Sequence, residues 1–488
     1  MTSDPKGVSR RLDLPRTVFI DDIFAAAASG ATFETIDPST EEALGPVARG
    51  AGADVDRAVH AAQRAARGAW REISPAERGR LLFLLADAVL AHKEEIAEVE
   101  TLDVGKPLKE SRGDVDGVVA TIRYNAGAAD KIEGATIPLG RSMVDFTLLE
   151  PLGVTAHIIP WNYPLGMLAR SVAPALAAGC TVVVKPAEQS PLSALVFARI
   201  CRDVGLPKGV VSVVTGFGEE AGAALVAHPG VRGVTFTGSV ETGRRVYQNA
   251  ARGLKPAVLE LGGKNPLVVM PDADLERAVV DVVDGAFGNS GQVCSSSSRL
   301  ILHRAIQDEF LDLLAEAAGR LSIGPGLSDR DLGPLVSAEQ HAKVTGYIAA
   351  GVREGARLRH GGARPADLAR GYFLEPTIID QVAPSQSIAR EEIFGPVAVA
   401  LSFETIEQAS ALASGLGYGL VAGIYTRDIS RALRFAQDVE AGSVWINGWF
   451  IGGQQAPTGG VKDSGLGRER GLPGIMNYLR IKNVGIRI

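Results

Sequence analysis

Residues 181–218, TVVVKPAEQSPLSALVFARICRDVGLPKGVVSVVTGFG, alternate short β-branched runs with one longer helical stretch. The runs 181–184 and 210–214 are typical of strands, and residues 191–204 between them are long enough for a helix. Strands that alternate with helices pair in parallel, so this stretch predicts a parallel sheet covered by helices. The alternation continues as helix, strand, helix and strand at 219–228, 233–236, 241–251 and 257–261.

The chain on either side of this series is predicted differently. Residues 1–100 are expected to be mainly helical, because Ser74-Pro75-Ala76-Glu77 has the residues of a helix cap ahead of the apolar run 81–85. Asn265-Pro266 marks the start of a second α/β series, so a boundary is expected near Gly262. The strands and helices predicted in this second series are 267–270, 275–287, 299–303 and 307–321.

Length and composition set the broad class. A chain of 488 residues exceeds the size of one core, so two or three domains are expected. A formal net charge of -6 without long basic runs disfavours nucleic acid and membranes as partners and favours small molecules. The amino terminus lacks the apolar segment of a signal peptide, so a soluble, cytoplasmic protein is expected. Three cysteines without CxxC spacing predict no disulfide framework, and no metal is expected.

Two glycine-containing turns are candidates for binding a dinucleotide. Residues 216–221, GFGEEA, follow a strand and open a helix, as in loops that let the backbone approach a pyrophosphate. This motif alone could equally be a structural turn. The next turn, 236–243, FTGSVETG, places a second glycine pair and hydroxyls at a helix start. Two adjacent candidate anion sites favour a dinucleotide.

Lys185 and Glu188 follow the strand 181–184, at the edge where open α/β sheets bind ligands. A carboxylate there accepts hydrogen bonds from ribose hydroxyls but repels a 2'-phosphate, so Glu188 favours NAD without excluding NADP. The alternative is a solvated surface pair.

Cys294 lies in the polar, glycine-rich stretch 288–298, GNSGQVCSSSS, between a helix and a strand. Such a loop can expose and activate a thiolate. Cys180 and Cys201 lie among Ala, Val and Ile, and are interpreted as packed core residues.

Five motifs together resemble the aldehyde dehydrogenase superfamily of the NAD(P)-dependent, non-acylating type. They are PWNYPL at 160–165, ELGGKNP at 260–266, GQVC at 291–294, EEIFGP at 391–396 and GGVKDSGLGR at 459–468. The resemblance runs from about residue 19 to the tail and implies an α/β fold of three parts. A Rossmann-like dinucleotide-binding domain spans 1–127 and 152–262, and an α/β catalytic domain spans 263–464. A small β oligomerisation element spans 128–151 and 465–488, with strands at 142–150 and 478–488, and a homodimer or homotetramer is implied.

The resemblance also implies catalytic roles. Cys294 is the nucleophile, Asn162 donates to the oxyanion with the Cys294 backbone, and Glu260 is the base. The thiolate adds to the aldehyde, a hydride leaves, and the resulting thioester is hydrolysed by water that Glu260 activates. The implied cofactor contacts are Ile159, Pro160, Trp161, Lys185, Glu188, Gly218, Phe236, Gly238, Ser239, Glu391 and Phe394. Structural roles are expected of Lys264, Lys462, Arg468 and Glu469.

The chain departs from the family pattern around the substrate. Arg170-Ser171 stands where many relatives have Trp-Lys, which puts the proton relay attributed to that lysine in doubt. Small residues at Gly288, Gly452 and Thr458 predict a roomy tunnel for a medium-sized or bulky apolar, aromatic or semialdehyde substrate. The expected pocket residues are Tyr163, Met167, Arg170, Val293, Trp449, Phe450 and Thr458.

A few residues indicate the charge of the substrate and argue against two alternative functions. Tyr163 and Trp449 resemble part of an aromatic box for a cation, whereas Arg170 disfavours a cationic substrate and could attract a carboxylate. A CoA-acylating enzyme is disfavoured because Glu260 is present. A non-catalytic scaffold protein is disfavoured because Cys294 and Glu260 are both retained.

Overall fold

The computed structural model describes residues 14–488. Its strands are, in chain order, β1 (Val18–Ile20), β2 (Ile23–Ala25), β3 (Thr32–Asp37), β4 (Glu42–Ala48), β5 (Thr136–Ile137), β6 (Met143–Pro151), β7 (Val154–Ile158), β8 (Thr181–Lys185), β9 (Val211–Val213), β10 (Gly233–Thr237), β11 (Ala257–Glu260), β12 (Pro266–Val269), β13 (Arg299–His303), β14 (Arg357–His360), β15 (Thr377–Asp380), β16 (Val397–Phe403), β17 (Val421–Tyr425), β18 (Ser443–Ile446), β19 (Gly465–Leu466) and β20 (Leu479–Arg487).

The α-helices fall mainly between strands. They are α1 (Gly52–Arg67), α2 (Ala69–Glu72), α3 (Pro75–Ala91), α4 (Lys93–Val104), α5 (Leu108–Ala128), α6 (Pro164–Ala178), α7 (Leu192–Asp203), α8 (Ala223–Ala227), α9 (Val240–Arg252), α10 (Leu275–Phe287), α11 (Gln307–Gly319), α12 (Ala338–Arg353), α13 (Ser387–Arg390), α14 (Ile406–Ser414), α15 (Ile429–Asp438) and α16 (Gly471–Met476).

The predicted parallel sheet is confirmed. Its order is β19-β11-β10-β7-β8-β9-β1-β2, with β7 to β11 parallel and the outer strands antiparallel. The chain runs from β7 outward to β9 and then returns to place β10 on the other side of β7. Open α/β sheets bind ligands where the strand order reverses in this way, so a crevice is expected above β7 and β10.

Strand β8 shows why its sequence is apolar without alternation. Val182 and Val184 pack into one hydrophobic cluster with helices α6 and α7, while Val183 packs into another that includes residues of α1. Both faces of the sheet are therefore buried, as parallel sheets require.

The second α/β series forms its own sheet, ordered β14-β15-β16-β13-β12-β17-β18. All neighbouring pairs are parallel except β14 with β15. The chain crosses from the first sheet to the second between Glu260 and Pro266, next to the predicted boundary at Gly262. The domain limits themselves stay a prediction.

The two predicted exposed strands pair with each other. Strand β6 is antiparallel to β20 along its whole length and also pairs with β5. Strand β19, which the sequence assigned to the same element, instead pairs with β11 in the first sheet.

The expectation of a mainly helical first hundred residues is wrong for residues 18–48. These hold β1 to β4, and Asp21 and Asp22 take positive φ angles of 55° and 64° in the tight turn between β1 and β2. Three-residue strands joined by Asp-Asp give too weak an alternation to identify. The cap at α3 is confirmed, since Ser74 accepts a hydrogen bond from the Glu77 amide. No helix within residues 14–488 is long and apolar enough to cross a membrane.

Candidate active site

A cleft of about 890 Å³ lies at the carboxyl ends of the parallel strands of the first sheet. Its walls come from the segments that follow β7, β8, β9 and β10. Nine of the predicted cofactor residues line it: Ile159, Pro160, Trp161, Lys185, Glu188, Gly218, Phe236, Gly238 and Ser239.

The start of α9 supplies an anion-binding end to this cleft. Ser239 caps the helix by accepting a hydrogen bond from the Thr242 amide at 3.2 Å, and both residues line the cleft. A side chain on Gly238 would approach the Phe236 ring to 2.6 Å, so glycine keeps the backbone open there. Unpaired amides and the helix dipole favour a phosphate at such a position.

Lys185 and Glu188 form a pair at the other end of the cleft. Lys185 Nζ lies 3.2 Å from Glu188 Oε2 and donates to the Gly216 carbonyl at 3.1 Å. The lysine is almost fully buried, while the carboxylate remains about a third exposed. The structure therefore leaves Glu188 accessible to a ligand in the cleft.

A smaller cavity of about 220 Å³ adjoins the cleft and gathers the three predicted catalytic residues. Cys294, Glu260 and Asn162 all line it, together with Tyr163 and Met167. The cavity shares Pro160, Trp161, Thr237, Gly238 and Ser239 with the larger cleft. The cleft and the cavity that Cys294 lines therefore have part of their walls in common.

The loop that carries Cys294 is held in place by buried side-chain amides. Asn162 Nδ2 donates to the Gln292 carbonyl at 2.8 Å, and Asn289 Nδ2 donates to the Asn162 carbonyl at 3.1 Å. Asn265 Nδ2 donates to the carbonyls of Cys294 at 2.8 Å and Ser296 at 2.9 Å. These bonds fix the loop relative to both sheets.

Glycines in three motifs let distant loops meet at the site. Gly291 has a φ of 69°, and a Cβ there would lie 2.0 Å from the Gly395 carbonyl oxygen. A Cβ on Gly262 would lie 2.1 Å from Glu392 Oε2. A larger residue at Gly291 would separate these backbone segments, whereas one at Gly262 would displace the Glu392 side chain.

Burial raises the pKa of two groups in the cavity, the Cys294 thiol and the Glu260 carboxyl. It raises the pKa of the Cys294 thiol to about 11; Arg170 opposes this rise, while Glu260 and Glu392 add to it. Burial also raises the pKa of the Glu260 carboxyl, with Glu469 adding to the rise and Arg170 opposing it. Within residues 14–488, Glu260 Oε1 is buried without a hydrogen-bond partner. Such a carboxylate is available to bind a water or a proton.

One predicted cofactor residue, Glu391, lies outside both cavities, whereas its neighbour lines the smaller one. Glu391 is exposed, lines neither cavity and accepts a hydrogen bond from the Tyr347 hydroxyl at 2.6 Å. Glu392 lines the smaller cavity and accepts from the Gly263 amide at 3.0 Å. Phe394 lines the cavity as predicted, with its ring 5.2 Å from that of Trp161.

The sequence suggested two positions for the Arg170 side chain, in the substrate pocket or in solvent. The side chain neither points outward nor lines the cavity, but pairs with Glu469 at 2.6 Å. Glu469, expected to be structural, thereby lies close enough to Glu260 to affect its charge.

Four other predicted pocket residues do not line the smaller cavity: Val293, Trp449, Phe450 and Thr458. Val293 is buried, and Trp449 is buried with its indole N–H donating to the Ser295 carbonyl at 3.0 Å. Phe450 is half exposed, and Thr458 pairs with Glu469 through the backbone. Trp449 and Phe450 were predicted from their apolar bulk and Thr458 from its small size, and neither property determines the direction of a side chain.

Residues that the sequence did not single out also shape the site. Thr237, Leu261, Gln340 and Lys343 line the smaller cavity, and Gln340 donates to the Phe394 carbonyl at 2.6 Å. Thr237 and Leu261 lie inside quoted motifs, whereas Gln340 and Lys343 carry no local signal. As expected, Cys180 and Cys201 are buried.

Comparison with known proteins identifies the family. The model of the aldehyde dehydrogenase family matches residues 24–484. A hydroxyisobutyraldehyde dehydrogenase of Mycolicibacterium austroafricanum is 46% identical over 480 residues, covering 98% of this chain and 95% of the relative.

Two solved structures share the fold. An NAD+ complex of an aldehyde dehydrogenase from Bacillus cereus has a TM-score of 0.96 and 42% identity, and covers 99% of this chain and 98% of its own. A betaine aldehyde dehydrogenase from Staphylococcus aureus in complex with NAD+ has a TM-score of 0.97 and 38% identity, covering 99% and 97%. The chain therefore belongs to the aldehyde dehydrogenase family and is an oxidoreductase that converts aldehydes to acids.

Proposed function

We propose that the chain oxidises an uncharged, medium-sized aldehyde with NAD through a covalent thioester on Cys294, which water activated by Glu260 hydrolyses. The observation that carries this proposal is the shared cavity. Cys294, Glu260 and Asn162 line one small cavity that opens into the dinucleotide-sized cleft. A nucleophile, a base and an oxyanion donor are the groups that acyl transfer requires.

The residues of the cleft fit NAD. The capped start of α9 at Ser239 suits a pyrophosphate, and Glu188 suits the ribose hydroxyls that a 2'-phosphate would replace. Glu392 and Phe394, which line the small cavity, would hold the nicotinamide end. Bound NAD supplies the hydride acceptor beside the thiol.

The chain's own groups account for the other steps. Glu260 accepts the thiol proton of Cys294 and passes it to solvent, and Sγ then bonds to the carbonyl carbon. The second hydrogen of the Asn162 amide, with the Cys294 N–H, stabilises the oxygen. After the hydride leaves, Glu260 takes a proton from water while the water oxygen bonds to the thioester carbon. The carbon–sulfur bond then breaks, which releases the acid and restores Cys294.

The substrate is proposed to carry no charge because two cations near the wall formed by Tyr163 and Met167 are already engaged. Lys106 Nζ lies 3.9 Å from the centre of the Tyr163 ring, so one face of that ring already holds a cation. Arg170 is neutralised by Glu469, which leaves little attraction for a carboxylate. Tyr163 and Met167 then present an apolar wall next to Cys294. The named substrate of the Mycolicibacterium relative, hydroxyisobutyraldehyde, is of this uncharged class.

Glu260→Gln tests the mechanism. We expect a rapid burst of NADH close to one per site, followed by turnover slower by about 100-fold or more, because the base is lost after hydride transfer. Stopped-flow absorbance at 340 nm measures both phases. Glu316→Gln, on the exposed face of α11, is the control. Unchanged steady turnover in Glu260→Gln would remove that residue from the mechanism.

Steady-state constants for an aldehyde series test the substrate. The series runs from two to ten carbons and includes an aromatic aldehyde, a semialdehyde and betaine aldehyde, each with NAD and NADP. The proposal expects the highest kcat/KM for uncharged aldehydes larger than acetaldehyde with NAD. A preference for the shortest, for a charged aldehyde or for NADP would contradict it.

The proposed assembly is a homodimer or homotetramer joined through the sheet β20-β6-β5. Strand β20 is an edge strand, and apolar side chains on β6 and β20 are 40–70% exposed: Met143, Val144, Leu148, Ile481 and Ile486. An exposed edge of this kind is a ready site for strand pairing. Analytical ultracentrifugation measures the subunit count.

A further inference from the structure

A buried ion pair lies directly behind the proposed base. Arg170 Nη2 is 2.6 Å from Glu469 Oε2, and the two side chains are 12% and 3% exposed. Arg170 comes from the middle of α6, while Glu469 follows the turn that contains β19. Ser171, at the position next to Arg170, donates its hydroxyl back to the carbonyls of Met167 and Leu168. Arg170 is therefore the residue of this segment that meets the carboxylates.

The pair sits inside a larger group of charges. Glu260, at the end of β11, faces Glu469, Arg170, Arg468 and Arg470. Arg468 is engaged by the carbonyls of Gly460 and Gly467. In the described part of the chain, Arg470 Nε and Arg170 Nε are buried without a hydrogen-bond acceptor. On the cavity side, Cys294 faces Arg170, Glu260 and Glu392.

The balance of these charges determines whether Glu260 can act as a base. Burial raises the pKa of Glu260, the charge of Glu469 raises it further, and the arginines lower it. Two buried carboxylates whose charges interact are not expected to ionise together unless a cation compensates them. Arg170 provides that cation and contacts Glu469 directly.

We propose that Arg170 is a positioning residue for thioester hydrolysis: it holds Glu469 and balances its charge, so that Glu260 stays free to accept the proton of the attacking water. The inference rests on the proposed role of Glu260 as the base. Arg170 itself touches neither substrate nor water. Its guanidinium keeps its proton throughout, and so it fixes the charge beside the base without relaying protons.

Substitutions of the two ion-pair residues are expected to shift the pH profile of kcat in opposite directions. Arg170→Met leaves Glu469 uncompensated, so the acid limb of kcat should move to higher pH by about one unit. Glu469→Gln leaves Arg170 unopposed, so the same limb should move to lower pH. A residue that only supported packing would lower kcat in both variants without opposite shifts.

The experiment records kcat and the NADH burst from pH 5 to 10 for both variants, for Arg170→Lys and for the control Arg320→Met, whose partner lies on the surface. The proposal expects opposite shifts, a retained burst, and profiles like the wild type in Arg170→Lys and Arg320→Met. Shifts in one direction, or none, overturn it. If Arg170→Met does not fold, the downward shift in Glu469→Gln decides alone. Failure of the wild-type enzyme to oxidise aldehydes, or full turnover in Glu260→Gln, would instead reject the proposed function.

Discussion

Replacing Asn265 by alanine should destabilise the protein and loosen the loop of Cys294. The Asn265 amide makes two buried hydrogen bonds, to the Ser296 carbonyl at 2.9 Å and from the Val421 amide at 3.1 Å, and a partly buried one to the Cys294 carbonyl at 2.8 Å. Alanine lacks the side-chain amide, so the carbonyls of Cys294 and Ser296 and the amide of Val421 all lose this hydrogen-bond partner. The bonds join the segments in front of β12, β13 and β17, so their loss affects the meeting point of three strands.

The expected loss follows from the groups left without partners. A buried backbone group that loses its hydrogen bond costs about 1–3 kcal/mol. Water that enters the space would satisfy part of this demand, so we expect a total near the lower end, about 3–5 kcal/mol for the three groups. The effect on catalysis should be a slower burst, since the Cys294 carbonyl is no longer held and the sulfur is misplaced relative to Asn162.

Urea denaturation at fixed protein concentration measures the first effect, and stopped-flow NADH formation measures the second. Gln248→Ala is the control, because this amide side chain is exposed on α9 and lines neither cavity. The control should change the free energy of unfolding by less than about 0.5 kcal/mol. An Asn265→Ala protein as stable as the control, with an unchanged burst rate, would refute the reasoning.

Two further predictions concern carboxylates. Glu392→Gln should raise the KM for NAD several-fold because Glu392 lines the cavity, whereas Glu391→Gln should leave this KM unchanged. Initial rates at varied NAD concentration measure both values. A raised KM in Glu391→Gln alone would show that Glu391, and not Glu392, contacts the cofactor. Burial raises the pKa of Glu100 to about 7, so its contribution to stability is complete below its ordinary pKa and is lost as pH rises through 7. The free energy of unfolding should therefore fall by up to about 3 kcal/mol between pH 5 and 8, and less in Glu100→Gln; parallel pH profiles would contradict this.

Much of the first sheet could be predicted from local sequence. Strand β8 and helix α7 lie within about one residue of the predicted 181–184 and 191–204 because their residue types and lengths differ clearly. Strands β1 to β4 were missed, since each is short or bent and is stabilised by pairing that local sequence does not reveal.

The sequence predicted the site residues that are marked by their chemical type or by a motif. The polar loop singled out Cys294, and the motifs singled out Glu260 and Asn162, which share a cavity. Glu391 and Glu392 are the same residue type side by side, so which of them faces the cavity depends on backbone direction. The pairing of Arg170 with Glu469 was beyond prediction, because it joins α6 to a distant turn across the fold.

Because β19 pairs with β11, the surroundings of Glu260 are completed only late in the synthesis of the chain. Leu466 and Gly465 pair with Leu259 and Glu260, so the strand that carries the base takes its outer neighbour from much later in the chain. On the ribosome, Glu260 and Cys294 emerge well before that neighbour, and domains fold as they emerge. The nucleotide-binding sheet can therefore begin to form early, while the base receives its final surroundings only after the catalytic domain has been synthesised. The proposed base therefore lacks this neighbouring strand on any nascent polypeptide that has not yet reached Gly465.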